Sequence, residues 1–114
     1  MQLEFFYVPT RDLAASVALY RDGLGMTEVW REGETTVALR DVRSGAQVML
    51  DASDDGATPG PIFLVEDVSA FHADRPQGLE EVQGPSEIPG GFVALYRDPS
   101  GLLVQVMDQS TEDV

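Results

Sequence analysis

The second half of this 114-residue chain repeats its first half. The matching segments keep one constant offset: Val37-Ala38-Leu39 recurs as Val93-Ala94-Leu95, Ser44-Gly45 as Ser100-Gly101, and Val48 as Val104. Such self-similarity indicates a duplicated supersecondary unit whose copies bury their apolar faces against each other. Hydrophobic periodicity predicts that each copy contains one strand, one helix and then two or three further strands.

The first copy is predicted at about residues 1–52 of a single domain that spans residues 1–114. Its pattern predicts a strand over 4–8, a helix that begins near Asp12, and three more strands over 26–31, 35–41 and 46–51. The helix is expected to bury one stripe with helical spacing, formed by Leu13, Val17, Tyr20 and Leu24.

A linker over residues 53–60, rich in Asp, Gly and Pro, is predicted to join the two copies. The second copy, at about 61–110, is expected to hold a strand over 61–65, a short helix over 67–73 and a short strand over 80–82. Residues 86–91 are predicted as a loop, followed by a hairpin of strands over 92–97 and 102–107. The Asp98-Pro99-Ser100-Gly101 segment has the composition of the hairpin turn.

The net charge and the composition of the chain limit the classes of molecule that it is expected to bind. The chain has a formal net charge of −13 and contains no cysteine. An acidic field repels phosphate backbones and anionic lipids, so we expect no nucleic-acid or membrane partner, and the same field favours a cationic small molecule. The absence of cysteine excludes disulfides and thiolate chemistry, and together with the lack of a long apolar run it predicts a cytoplasmic protein.

Several motifs, in this order along the chain, resemble the vicinal oxygen chelate superfamily: Asp12-Leu13-Ala14-Ala15-Ser16, Tyr20-Arg21-Asp22, Leu24-Gly25, Asp98-Pro99-Ser100-Gly101 and Gln105. That superfamily includes glyoxalase I, extradiol dioxygenases, fosfomycin-modifying enzymes and bleomycin-resistance proteins. The resemblance implies an α+β fold of two tandem βαβββ modules that form a curled sheet around a cleft. It also implies a homodimer, often with a strand or module exchanged between subunits.

Enzymes of this superfamily hold a divalent metal with His, Glu or Gln on the first and last strands of each module. The resemblance carries those ligand positions onto Phe5, Met49, Gln105 and Gly60, with Pro61 as an alternative to Gly60. Phenylalanine, glycine, proline and methionine offer no oxygen or nitrogen side-chain donor for such an ion. We therefore expect no metal and no other cofactor.

No other catalytic group is assigned. The single histidine, His72, falls on the second predicted helix outside the carried-over ligand positions, and it is expected to be a solvated surface residue. No serine has the context of a nucleophile elbow.

The remaining expectation is a cleft lined by aromatic, methionine and a few polar side chains. Period-two alternation from the ligand positions, with Trp30 on a neighbouring strand, predicts that the cleft is lined by Phe5, Tyr7, Trp30, Gln47, Met49, Asp51, Ala94, Tyr96, Leu103, Gln105 and Met107. Of these, the expected ligand-binding residues are Phe5, Tyr7, Trp30, Gln47, Met49, Asp51, Tyr96, Gln105 and Met107. The alternative is that Phe5 and Met49 fill the former metal site as core residues.

The sequence therefore favours a metal-free, non-catalytic protein of the bleomycin-resistance type, which sequesters a cationic or aromatic toxic compound or antibiotic. One alternative is a superfamily enzyme, such as an isomerase, lyase, transferase or dioxygenase-like protein, whose metal site is lost or displaced and which uses Gln105, Tyr96 and Asp51. Another is a chaperone-like or regulatory module that uses the fold only for association.

Overall fold

The computed structural model describes residues 1–54 and 56–112 of the chain, so Asp55 of the predicted linker lies outside the described residues. The chain divides into two compact units. The N-terminal unit comprises residues 5–59, and the C-terminal unit comprises residues 1–4 together with the chain from Gly60 onward. The order of elements is strand, helix and three strands, twice, which confirms the α+β class and the two βαβββ modules.

The first module contains β1 (Gln2–Pro9), α1 (Leu13–Val17), a π-helical segment (Ala18–Gly23), β2 (Thr27–Glu32), β3 (Thr36–Arg40) and β4 (Gln47–Asp51). Its strands lie in the order β2-β3-β4-β1, in which β3 is antiparallel to both neighbours and β4 is parallel to β1. The Asp12 carboxylate caps α1 by accepting a 3.0 Å hydrogen bond from the Ala15 N–H, so the predicted start of the helix is confirmed.

The predicted buried stripe of this helix is correct at three of its four positions. The core on the helix side of the sheet is formed by Val17, Val37, Leu39 and Leu50, with Leu13 and Tyr20 packed against it. Leu24, however, is 63% exposed, so its predicted burial is wrong. The reason is the π-helical segment, in which the Leu24 N–H donates to the Leu19 carbonyl five residues earlier. A wider turn alters the angular spacing of the side chains, and Met26 packs against the core instead.

The second module contains β5 (Gly60–Leu64), α2 (Val68–Ala73), β6 (Glu80–Ile88), β7 (Gly91–Arg97) and β8 (Leu103–Met107), and its strands lie in the order β5-β8-β7-β6. The prediction of a loop over 86–91 is wrong for residues 86–88, which belong to the edge strand β6, and for Gly91, which begins β7. A register shift between Gln83 and Ser86 accommodates Gly84 and Pro85, and another shift lies between Glu81 and Gln83. Because an edge strand tolerates a proline, the strand continues beyond it.

A buried carboxylate without a local sequence signal connects three parts of this second module. Asp108 accepts hydrogen bonds from the Val68 N–H at the start of α2 (2.7 Å), from the Phe92 N–H in β7 (2.9 Å) and from the Ser110 hydroxyl (2.9 Å). Gly91 permits this close packing, because a Cβ at that position would overlap both the backbone and the carboxylate of Asp108. Asp108 therefore holds α2 and β7 at the end of β8.

Within residues 1–54 and 56–112, no helix has the length and apolar character needed to span a bilayer.

Candidate functional site

Most of the predicted site residues lie on one surface of the N-terminal unit. Val37, Leu39 and Leu50 face the helix, so the alternating residues of the same strands point to the opposite side of the sheet. Strand register aligns Trp30 with Ala38, Ala38 with Met49, and Met49 with Tyr7 across four strands. We call this surface the aromatic face and define it by Phe5, Tyr7, Trp30, Gln47, Met49 and Asp51.

Trp30 is the accessible aromatic group on this face. Its ring meets the ring of Phe5 edge to face, with centroids 6.2 Å apart. Trp30 is 37% exposed, whereas Phe5, Tyr7 and Met49 are each less than one tenth exposed. Phe5 therefore supports the tryptophan ring from one side, and a ligand would reach the aromatic face at Trp30.

A carboxylate lies at one end of the aromatic face. The Tyr7 hydroxyl donates a 2.6 Å hydrogen bond to Asp51, and the Thr36 hydroxyl and Ser53 N–H donate to the same carboxylate. Burial raises the pKa of Asp51, but these hydrogen bonds more than offset it and leave the pKa below its ordinary value. Burial and the neighbouring carboxylate raise the pKa of Tyr7. At neutral pH the pair is therefore an anion held by a neutral phenol.

The opposite end of the face carries a cation. Arg40 is aligned with Gln47 across β3 and β4, and its guanidinium donates to the Gln47 side-chain oxygen at 3.3 and 3.4 Å. Asp51 lies four residues further along β4 and is aligned with Thr36. A ligand on this surface would thus meet positive charge near Gln47 and negative charge at Asp51.

The residues at the positions that the superfamily resemblance assigns to a metal do not fit one. Phe5 and Met49 in the N-terminal unit are apolar and nearly buried, and in the C-terminal unit only Gln105 has a donor side chain. Gly60 has no side chain, and a Cβ there would overlap the carbonyl oxygen of Leu103. Across residues 1–54 and 56–112 there is no group of three or more His, Cys, Asp or Glu side chains arranged to hold an ion.

In the C-terminal unit, the structure separates the three predicted ligand-binding residues. Val104 and Val106 pack on the α2 side, so Gln105 and Met107, which alternate with them, lie on the opposite side of the sheet. Tyr96 is aligned with Val104 and is fully buried against α2. The expectation that Tyr96 and Ala94 share a face with Gln105 is therefore wrong. The reason is the register between β7 and β8, which pairs Gln105 with Leu95 and not with Tyr96.

The prediction that His72 is a solvated surface residue is also wrong. The His72 Nδ1 lies 2.7 Å from the Tyr96 hydroxyl, and its Nε2 lies 3.1 Å from a carboxylate oxygen of Glu81. The rings of His72 and Tyr96 are stacked, with their centroids 5.8 Å apart. His72 thus links α2 to β7 and β6, a role without a local sequence signal because its partners come from other strands.

The sequence and the fold of this chain are similar to those of known proteins. A family model described as the Glyoxalase/Bleomycin resistance protein/Dioxygenase superfamily matches residues 2–106. No protein of curated function matches the sequence significantly.

Several solved structures share the fold at low sequence identity. The NAD-dependent benzaldehyde dehydrogenase from Legionella pneumophila superposes with a TM-score of 0.74 and 18% identity, over 92% of this chain and 96% of that one. A hypothetical protein from Bacillus halodurans C-125 gives 0.70 and 11%, over 99% and 97%. A glyoxalase/bleomycin resistance protein/dioxygenase superfamily member from Vibrio splendidus 12B01 gives 0.60 and 15%, over 91% and 95%. At these identities the likeness shows the fold alone.

Proposed function

Because the chain belongs to the Glyoxalase/Bleomycin resistance protein/Dioxygenase superfamily, we propose that it is a small-molecule-binding protein of the bleomycin-resistance type. In this proposal, it sequesters a cationic aromatic compound on the aromatic face and does not transform it. The observation that carries the proposal is the exposed Trp30 ring, braced by Phe5, on the same sheet face as the Asp51 carboxylate.

The charge arrangement supports a ligand with a cationic end. Asp51 is ionised at neutral pH and is kept in place by Tyr7 and Thr36, so it can pair with a positive group without reorganising. The net charge of −13 attracts such a ligand at long range. Stacking on Trp30 adds a contribution that salt does not screen. The Arg40 end of the face would disfavour a second cationic group there.

The same residues are poorly suited to catalysis. A general acid or base at neutral pH needs a pKa close to 7, but the pKa of Asp51 lies below its ordinary value. Tyr96 is buried against α2, on the opposite side of its sheet from Gln105. An enzyme that combines Gln105, Tyr96 and Asp51 is thus disfavoured, because Tyr96 cannot meet a substrate at Gln105.

Proflavine, a planar cationic dye, should bind the full chain and quench the fluorescence of Trp30. The Trp30→Ala substitution should weaken proflavine binding by about 2 kcal/mol, roughly thirtyfold in Kd, because it removes the stacking surface. Calorimetry measures this loss without relying on tryptophan emission. Raising the salt concentration should weaken binding without abolishing it, since only the long-range charge attraction is screened, over ~10 Å at 0.1 M ionic strength.

Leu24→Ala is the matched control for this experiment, because Leu24 is an exposed apolar residue of the same unit and ends the helical segment on the opposite side of the sheet from the aromatic face. It should leave the Kd unchanged, while Asp51→Asn should reduce the salt dependence. Equal affinity for Trp30→Ala and the unaltered protein would contradict the proposal. So would new binding created by Phe5→Ala or Met49→Ala, since that result means the natural side chains close the site.

We also propose that the protein is a homodimer, as the bleomycin-resistance type implies. The edge strands β2 and β6 and the exposed side chains Phe6 and Leu19 support this, because strand edges and apolar groups are commonly covered by a partner. Sedimentation velocity at micromolar concentration and 0.15 M salt should give one species of twice the chain mass. A single species of one chain mass, unchanged over a concentration series, would contradict the dimer.

A further inference from the structure

The C-terminal unit contains a pocket of about 440 Å³ on the helix side of its sheet. Phe63, Val104 and Val106 form its floor, and Phe71 and Leu79 form its walls. Leu102, which is 42% exposed, lies at its mouth. Every lining residue belongs to the C-terminal unit, and none belongs to the aromatic face.

The pocket exists because the second helix is shorter than its counterpart. In the first module, helical structure continues from Leu13 to Gly23, and Tyr20 in the second half of that segment packs against the sheet. In the second module α2 has six residues and ends at Ala73. The chain then turns through Pro76 and Gly78, which has a φ of 103°. The sheet surface that a longer helix would cover is left as a concave space.

The side chains that line the pocket disfavour a charged ligand. Asp98 is the one charged side chain among the described residues that line the pocket. Its Oδ1 atom already accepts hydrogen bonds from the Ser100 N–H, the Ser100 hydroxyl and the Leu102 N–H of its own turn. Transfer of an unpaired charge into such surroundings is costly, whereas apolar rings gain free energy by contact with phenylalanine, leucine and valine side chains.

We propose that this pocket is a second binding site, which takes an uncharged, largely apolar ring compound. Its volume falls within the ~300–1,000 Å³ range of small-molecule sites and suits a molecule of two or three fused or linked rings. The pocket is thus chemically distinct from the aromatic face, which carries a carboxylate and favours a cation. The two sites are expected to bind independently.

The test adds 1-N-phenylnaphthylamine to the full chain. This probe is uncharged, contains a phenyl and a naphthyl group, and becomes fluorescent in apolar surroundings. We expect saturable binding of one probe per chain. Leu102→Asp places a carboxylate at the mouth of the pocket and should raise the Kd for the probe at least tenfold. Val82→Asp is the control, because Val82 is 47% exposed in the same unit, lies outside the lining and receives the same charge. Trp30→Ala should retain the affinity of the unaltered protein.

Methyl NMR of the unaltered protein provides a measurement that does not depend on a variant. Added probe should shift the methyl signals of Leu79, Val104 and Val106 and leave those of Val37 and Leu39 unchanged. Shifts confined to the second pair, or equal weakening by Leu102→Asp and Val82→Asp, would overturn the proposal. A change of sedimenting mass caused by Leu102→Asp alone would also overturn it, since the pocket would then be covered by a second copy of the chain.

Discussion

Replacing Asp108 with alanine is expected to lower the free energy of unfolding by about 3 kcal/mol. The side chain is 2% exposed, and its carboxylate accepts hydrogen bonds from the backbone N–H groups of Val68 and Phe92. Alanine would leave both donors buried without a partner, and each unsatisfied group costs ~1–3 kcal/mol. Because the two donors belong to α2 and β7, the loss should loosen the packing of both elements against β8.

Urea unfolding of the full chain measures this change. Asp74→Ala is the matched control, since it removes the same charge from an exposed position at the end of α2, where a negative charge is not favoured by the helix dipole. It should change the free energy of unfolding by less than about 0.5 kcal/mol. A loss below about 1 kcal/mol for Asp108→Ala would mean that water replaces the carboxylate, and it would contradict the structural role assigned to Asp108.

The contribution of Asp108 should also depend on pH. Burial raises the pKa of Asp108, but the hydrogen bonds from Val68, Ser110 and Phe92 more than offset this and leave the pKa below its ordinary value. A carboxylate with a lowered folded-state pKa stabilises the protein above its unfolded-state pKa of ~3.9, and this contribution is lost as the pH falls through the folded value. The difference in stability between the unaltered protein and Asp108→Asn should therefore shrink below about pH 4.

Local signals in the sequence were sufficient for much of the fold. Asp12 and Asp67 were predicted at the starts of the two helices, and each accepts a hydrogen bond from the N–H three residues later. The Asp98 turn is likewise local, because the hydrogen bonds of Asp98 to Ser100, Gly101 and Leu102 reach at most four residues along the chain. By contrast, Asp108 bonds to Val68, 40 positions away, so no window of sequence around it reveals its role.

Which predicted site residues share a sheet face was predicted correctly where alternation along a single strand decides it. Alternation along β1 and β4 placed Phe5 with Tyr7 and Met49 with Asp51. The prediction failed for Tyr96, because the register between β7 and β8 determines which face it occupies, and a shift of one residue reverses that face. The hydrogen bond between Tyr7 and Asp51 was not predicted either, since it requires the parallel register of β1 and β4.

Replacing Gly60 with alanine should lower the free energy of unfolding by about 2–3 kcal/mol. Gly60 is buried at the start of β5, and an added Cβ would overlap the carbonyl oxygen of Leu103. That oxygen belongs to β8, which is paired with both β5 and β7, so it cannot move without shifting the ladder. Overpacking of this kind costs ~1–3 kcal/mol when backbone must yield. Urea unfolding should show the loss as a lower midpoint at unchanged slope.

Gly23→Ala is the control, because Gly23 ends the π-helical segment and an added Cβ there meets only the flexible end of Leu19 at 3.4 Å. It should be neutral or slightly stabilising. The comparison bears directly on function, since Gly60 occupies a position that the superfamily resemblance assigns to a metal ligand. If Gly60→Ala is tolerated, β8 can yield, and a Gly60→His protein should then be tested for Zn²⁺-dependent stabilisation. If it is not tolerated, the backbone itself prevents a ligand side chain at this position, and a single substitution cannot restore a metal donor there.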